Sequence, residues 1–188
     1  RDLFQQTPMR DLFIYNPPLF TDERGYFMES FNARHFEEKG LSSQFVQDNR
    51  SLSRYGTLRG LHMQTGEWSQ AKLVGVLSGR VYDVAVDVRA GSETYGQHYG
   101  IFLDATEDPR FFYIPRGFAH GFFVLSETAE FYYKVDNFYN KESEAGIKFD
   151  DPDLSIEWPS IEREVILSEK DQKLPSFAEF KKEFGGNL

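Results

Sequence analysis

The chain contains no cysteine. That excludes disulfides and thiolate metal sites, and it fits a cytoplasmic protein. No apolar run approaches the ~18 residues a membrane-spanning helix needs. The start, Arg1-Asp2-Leu3-Phe4-Gln5-Gln6, lacks a signal-peptide hydrophobic stretch, so a secreted or membrane protein is not expected. Basic residues are also in deficit: 21 Lys and Arg against 30 Asp and Glu give a net charge of −9. A nucleic-acid polymer wants a basic face and is therefore not an expected partner. A small anionic ligand remains compatible if a few cations converge on one pocket. Histidine is scarce too, with four in 188 residues, and methionine numbers three.

What is abundant is aromatic: 19 Phe, 10 Tyr and 2 Trp. That load favours strands, a rigid core or stacking surfaces. The length suits one domain over 1–188, with a core over about 10–175 and a C-terminal helix and tail over 176–188. A chain of this size buries roughly 70% of its unfolded surface.

Periodicity reads mostly as strand. Leu73 to Leu77, the dipeptide Ser78-Gly79, and Arg80 to Val88 predict a hairpin with a tight glycine turn. In its second arm Tyr82, Val84, Val86 and Val88 share one face, and Val81, Asp83, Ala85 and Asp87 the other. Further strands are expected near Gln97–Leu103, Phe111–Ile114, Gly121–Leu125 and Ala129–Val135. Their spacing of roughly 10 residues is the rhythm of a sandwich or barrel. Asn32 can cap a short helix over Ala33–Lys39, stopped by Gly40. Ser176 and Glu179 form a capping box ahead of the stripe Phe177, Phe180 and Phe184, and the polar tail Gly185–Leu188 is expected to fray. Leu12 to Tyr15, ahead of Pro17-Pro18, is a short apolar strand placed to pair with a neighbouring subunit's sheet.

Two segments carry the chemistry. Leu58-Arg59-Gly60-Leu61-His62 and Ile114-Pro115-Arg116-Gly117-Phe118-Ala119-His120-Gly121-Phe122 each set a histidine beside glycine, a cation and apolar residues. Each histidine faces either the core or the mouth of a barrel, and imidazole suits proton transfer near neutral pH. A cupin-type metal site would need histidines spaced H-x-H with a carboxylate following. Here His62 is followed by Met63 and Gln64, so no metal site is expected.

An ordered set of motifs spans nearly the whole chain. It begins with Phe20 and Asp22 to Asn32, continues through Phe45 to Ser51, Leu58 to His62 with Gln64, Lys72 to Val74 and Asp83 to Asp87, and passes Ile114 to Phe122. It closes with Ala129 to Lys134, Tyr139 with Glu144, and Leu167 to Asp171. In this order and spacing the chain resembles the dTDP-4-dehydrorhamnose 3,5-epimerase family. The resemblance implies a cupin-type jelly roll that is all-β with a few short flanking helices. It implies a homodimer, no cofactor, and a dTDP-linked 4-keto-6-deoxyhexose as substrate. The implied reaction inverts C3 and C5 of dTDP-4-dehydro-6-deoxy-D-xylo-hexulose in dTDP-L-rhamnose biosynthesis.

By the same resemblance His62 matches the base, Asp171 its orienting partner, Tyr133 the acid, and Lys72 the cation beside the enolate oxygen. His120 matches a position near that oxygen. Arg24, Arg59 and Lys170 match phosphate contacts. Glu29, Gln47, Asn49 and Glu144 match polar contacts to base, sugar or phosphate, and Phe27 and Tyr139 match aromatics that stack on thymine. Read without the resemblance, Asp171 is a solvated loop carboxylate, Tyr133 a core aromatic, and each surface charge merely solvated. Lys72, flanked by Ala71, Leu73 and Val74, is the exception: an ammonium in an apolar strand demands an anionic partner. A relative that epimerises one carbon or acts on another nucleotide-linked 4-keto sugar would carry the same four residues. A non-catalytic sugar-binding cupin would be expected to lose His62 or Tyr133.

Overall fold

The computed structural model describes residues 1–185; the end of the expected frayed tail, from residue 186, lies outside the described residues. In chain order the strands are β1 (Phe4–Gln6), β2 (Phe13–Tyr15), β3 (Leu19–Asp22), β4 (Gly25–Met28), β5 (Gln47–Arg54), β6 (Leu58–Gln64) and β7 (Lys72–Ser78). They continue with β8 (Arg80–Asp87), β9 (His98–Asp104), β10 (Phe111–Ile114), β11 (Phe118–Val124), β12 (Thr128–Val135) and β13 (Glu144–Gly146). Among the described residues three short α-helices accompany them, α1 (Ala33–Lys39), α2 (Glu169–Gln172) and α3 (Phe177–Phe184), with single 3₁₀ turns at Gly66–Trp68 and Lys141–Ser143.

Two antiparallel sheets face each other as a cupin-type jelly roll. One runs β1-β2-β10-β7-β12-β5, the other β13-β6-β11-β8-β9, and β3 with β4 forms a separate hairpin. The faces of β8 divide as its alternation predicts. Val81 and Ala85 point between the sheets, where they meet Val74, Phe112 and Phe131. Val84, Val86 and Val88 point outward and are covered by Leu154, Phe177 and Phe180 from the C-terminal segment. The outer face of the six-stranded sheet carries Phe13, Tyr15, Leu73 and Tyr113, sealed by Phe36 of α1.

Two expectations about pairing are overturned. The turn at Ser78-Gly79 exists, but β7 and β8 do not form a hairpin: they belong to opposite sheets. Gly79 has φ +82°, and a Cβ there would sit 2.3 Å from the carbonyl oxygen of Thr128, so the corner is tight enough to need glycine. A tight turn fixes a change of direction, and long-range pairing decides which strand receives the hydrogen bonds. Likewise β2 does not offer an edge to a neighbouring subunit. It pairs with β1 on one side and β10 on the other, and all three of its residues are buried.

Both predicted helix caps are present. Asn32 accepts from the Arg34 N–H, Gly40 closes α1 in the left-handed region, and the Ser176–Glu179 capping box opens α3. α2 falls where the sequence reads as loop. Ser168 caps it by accepting from the Asp171 N–H.

Candidate active site

The jelly roll opens into a cavity of about 920 Å³ between the sheets. Of the predicted site residues, His62, Lys72, His120, Tyr133, Asp171, Asn49, Arg59, Tyr139, Glu144 and Lys170 line it. Gln47 stands beside it, donating from Nε2 to Asn49 Oδ1 at 2.8 Å and accepting the Tyr139 N–H at 3.1 Å. Arg24, Phe27 and Glu29 are not part of its lining. Arg24 lies in the β3–β4 turn paired with Asp22, Phe27 is on β4 and 68% exposed, and Glu29 holds Asn32.

Strand alternation explains the inward set. On β6, His62 and Gln64 are two residues apart and share the interior face. His120 on β11 lies directly across the ladder from His62. The two strands approach closely because residue 60 is glycine. Its φ is +124°, and a Cβ would lie 2.6 Å from His120 O and 2.7 Å from Gly121 Cα.

His62 Nε2–H donates to Asp171 Oδ1 at 2.6 Å, and the other oxygen, Oδ2, accepts the Gly60 N–H at 3.0 Å. A carboxylate held this way only accepts, so Nε2 carries the proton and Nδ1 is the basic nitrogen of the neutral ring. Asp171 is 4% exposed, which overturns its bare reading as a solvated loop carboxylate. Burial pushes its carboxyl up, but the hydrogen bond and charge of His62, the Gly60 amide and Lys170 together outweigh this and hold it below the usual range.

The cation the sequence singled out is indeed buried. Desolvation lowers Lys72 to about 8, with the Asp83 carboxylate pulling the other way. Lys72 Nζ lies 5.8 Å from the centre of the Tyr133 ring. Asp83 is fully buried and accepts from His120 Nε2–H at 2.8 Å, while its Oδ1 has no hydrogen-bond partner among the described residues. Burial raises Asp83 and lowers His120, each opposed by the charge of the other. The Tyr133 hydroxyl is raised by burial, against the hydrogen bond from Asn49 and the charge of Arg59, so it keeps its proton at neutral pH. Phe122 of β11 and Phe131 of β12 stack across the gap between the sheets, ring centres 3.9 Å apart, forming an apolar part of the cavity wall.

At the cavity mouth Lys170 pairs with Glu144, which also accepts from the Tyr139 hydroxyl. Two site residues carried no role in the sequence reading. Asp83 had a signal, a carboxylate alternating with apolar residues on an inward face. Gln64 had one as well, since it occupies the second position of the failed H-x-H pattern.

The family model for dTDP-4-dehydrorhamnose 3,5-epimerase matches residues 6–179. The chain belongs to this family. It is 51% identical over 167 residues to the dTDP-4-dehydrorhamnose 3,5-epimerase of Shigella flexneri, covering 88% of this chain and 91% of that one. Among solved structures, the family's epimerase from Elizabethkingia anophelis superposes with a TM-score of 0.89 at 59% identity, over 94% of this chain and 96% of the other. A Legionella pneumophila dTDP-6-deoxy-D-glucose-3,5-epimerase, solved in complex with dTDP-4-keto-L-rhamnose, gives 0.90 at 48% identity, over 96% and 95%. These are epimerases with the jelly-roll architecture seen here. None of the described helices is long and apolar enough to cross a membrane.

Proposed function

We propose that this epimerase converts dTDP-4-dehydro-6-deoxy-D-xylo-hexulose into dTDP-4-dehydro-β-L-rhamnose by inverting C3 and C5. The observation that carries the reading is the placement of a base and an acid on facing walls of one cavity. His62, oriented by Asp171, stands on the five-stranded sheet, and Tyr133, protonated at neutral pH, stands on the six-stranded sheet. Inversion needs that opposition, because a proton leaves one face of the sugar ring and returns on the other.

Both carbons flank the C4 ketone, so each proton is removable through an enolate. Nδ1 of His62 takes the proton, the electron pair of the C–H bond moves into the ring, and negative charge develops on the C4 oxygen. The Lys72 ammonium stabilises that oxygen, with His120 beside it. Tyr133 then gives its proton to the opposite face. Metal and coenzyme have no place in this scheme.

The nucleotide lies toward the mouth. Arg59 and Lys170 meet the pyrophosphate, Asn49, Gln47 and Glu144 supply polar contacts, and Tyr139 offers its ring to thymine. Arg24, Phe27 and Glu29 serve the site of a second copy in a homodimer. The exposure of Phe20 and Phe27, 63% and 68%, on a hairpin outside both main sheets supports this. The absence of cysteine agrees with a cytoplasmic enzyme. A coupled assay tests the proposal: incubated with the 4-keto sugar nucleotide and a rhamnose-forming reductase, the protein should drive NADPH oxidation. No oxidation above the reductase-only rate would refute it.

A further inference from the structure

Tyr139 lies on the connection between β12 and β13, where no ladder or helix holds it, and 55% of it is exposed. Its backbone is nevertheless gripped on both sides by one buried side chain. Gln64 Nε2 donates to the carbonyl oxygens of Trp68 at 2.8 Å and Phe138 at 3.1 Å, and Gln64 Oε1 accepts the Asn140 N–H at 2.9 Å. Both donor hydrogens of the amide are used, and two of the three bonds land on the residues flanking Tyr139.

A buried glutamine that satisfies loop carbonyls is commonplace. Its address here is what matters. Gln64 follows His62 by two residues on the same face of β6, so it ties the Tyr139 loop to the strand that carries the base. Farther from the ring, the same connection is tied down at Asn137 by Gln70, Glu67 and Ser69 and at Ser143 by Thr65, while Tyr139 itself is otherwise held by Gln47 at its N–H and Glu144 at its hydroxyl.

We propose that Gln64 is a positioning residue that fixes the Tyr139 ring relative to His62. It thereby sets where the nucleotide end of the substrate is held while the sugar reacts. This rests on the nucleotide reading of Tyr139 given above. An exposed ring pre-ordered in this way spares binding the entropy of ordering its loop.

The test is calorimetric titration of the full chain with dTDP, together with steady-state kinetics. Gln64→Met keeps length and removes all three bonds. Gln64→Glu keeps the acceptor for Asn140 but turns an oxygen toward two carbonyls. Each should weaken dTDP by about tenfold, near 1.4 kcal/mol. KM for the sugar nucleotide should rise by a similar factor while kcat falls less than about threefold. In a Tyr139→Ala background the same changes should add no more than about twofold, because residues acting through one another are not additive. Full additivity in that background, or wild-type dTDP affinity in both Gln64 variants, overturns the inference while leaving the nucleotide reading intact. Unchanged dTDP affinity in Tyr139→Ala itself removes that reading and the inference with it.

Discussion

His62 Nε2 and Asp171 Oδ1 are 2.6 Å apart although 109 residues separate them in the chain. The second oxygen of Asp171 is committed to the Gly60 N–H, which fixes how a replacement amide must sit. In Asp171→Asn the amide oxygen would stay on Gly60, so the NH₂ group would donate to Nε2. The imidazole would then carry its proton on Nδ1, the nitrogen needed as base. Asp171→Asn should therefore lower kcat by about 10²–10⁴-fold with little change in melting temperature. Steady-state rates and a thermal melt check this, and near wild-type turnover would show that tautomer control is unnecessary.

Lys72 is expected to set the alkaline limit of the proposed reaction. Burial holds its ammonium down to about 8, so it is charged below that pH and neutral above it. If the ammonium stabilises the enolate oxygen, kcat/KM should fall as pH rises through about 8. Tyr133, raised by burial, does not ionise in that range. Lys72→Met should cost about 10²–10³-fold in kcat, the scale of one lost oxyanion donor, and abolish the limb. A basic limb that survived in Lys72→Met would assign it to another group.

Tyr133→Phe separates proton return from proton removal. The phenyl ring preserves packing against Phe131 but cannot donate. Epimer formation should slow by about 10²–10⁴-fold, the range of one positioned acid. Label washout from C5 should fall less steeply, since His62 still removes that proton. Near wild-type epimerisation would make Tyr133 a packing residue, with His120 the next candidate.

Light scattering at micromolar concentration should report about twice the 21.9 kDa chain mass. Phe27→Ala should weaken dTDP binding in the assembled protein, since Phe27 lies outside its own chain's cavity. A 21.9 kDa species with full affinity would count against a shared site.

Much of this architecture is legible in the sequence because it follows from local chemistry. The alternation in β8, the Asn32 and Ser176 caps and the buried Lys72 all depend on near neighbours. What escaped depends on distant ones. The partner sheet of β8, the burial of Asp171 and the grip of Gln64 on the Tyr139 loop each arise from contacts made late in the chain. For Asp171 the motif resemblance supplied a role that composition and spacing did not. Asp83 was visible as a carboxylate on an apolar face, but its partner His120 lies 37 residues on, across the β8–β11 ladder.

In the proposed reaction His62 removes the protons at both C3 and C5. Proton NMR of the reaction run in D₂O reads it directly. The wild-type protein should place deuterium at both carbons of the 4-keto sugar, and His62→Ala, with its fold confirmed by a thermal melt, should place it at neither. Deuterium entering either carbon at a near wild-type rate in His62→Ala would rule out His62 as the base for that carbon.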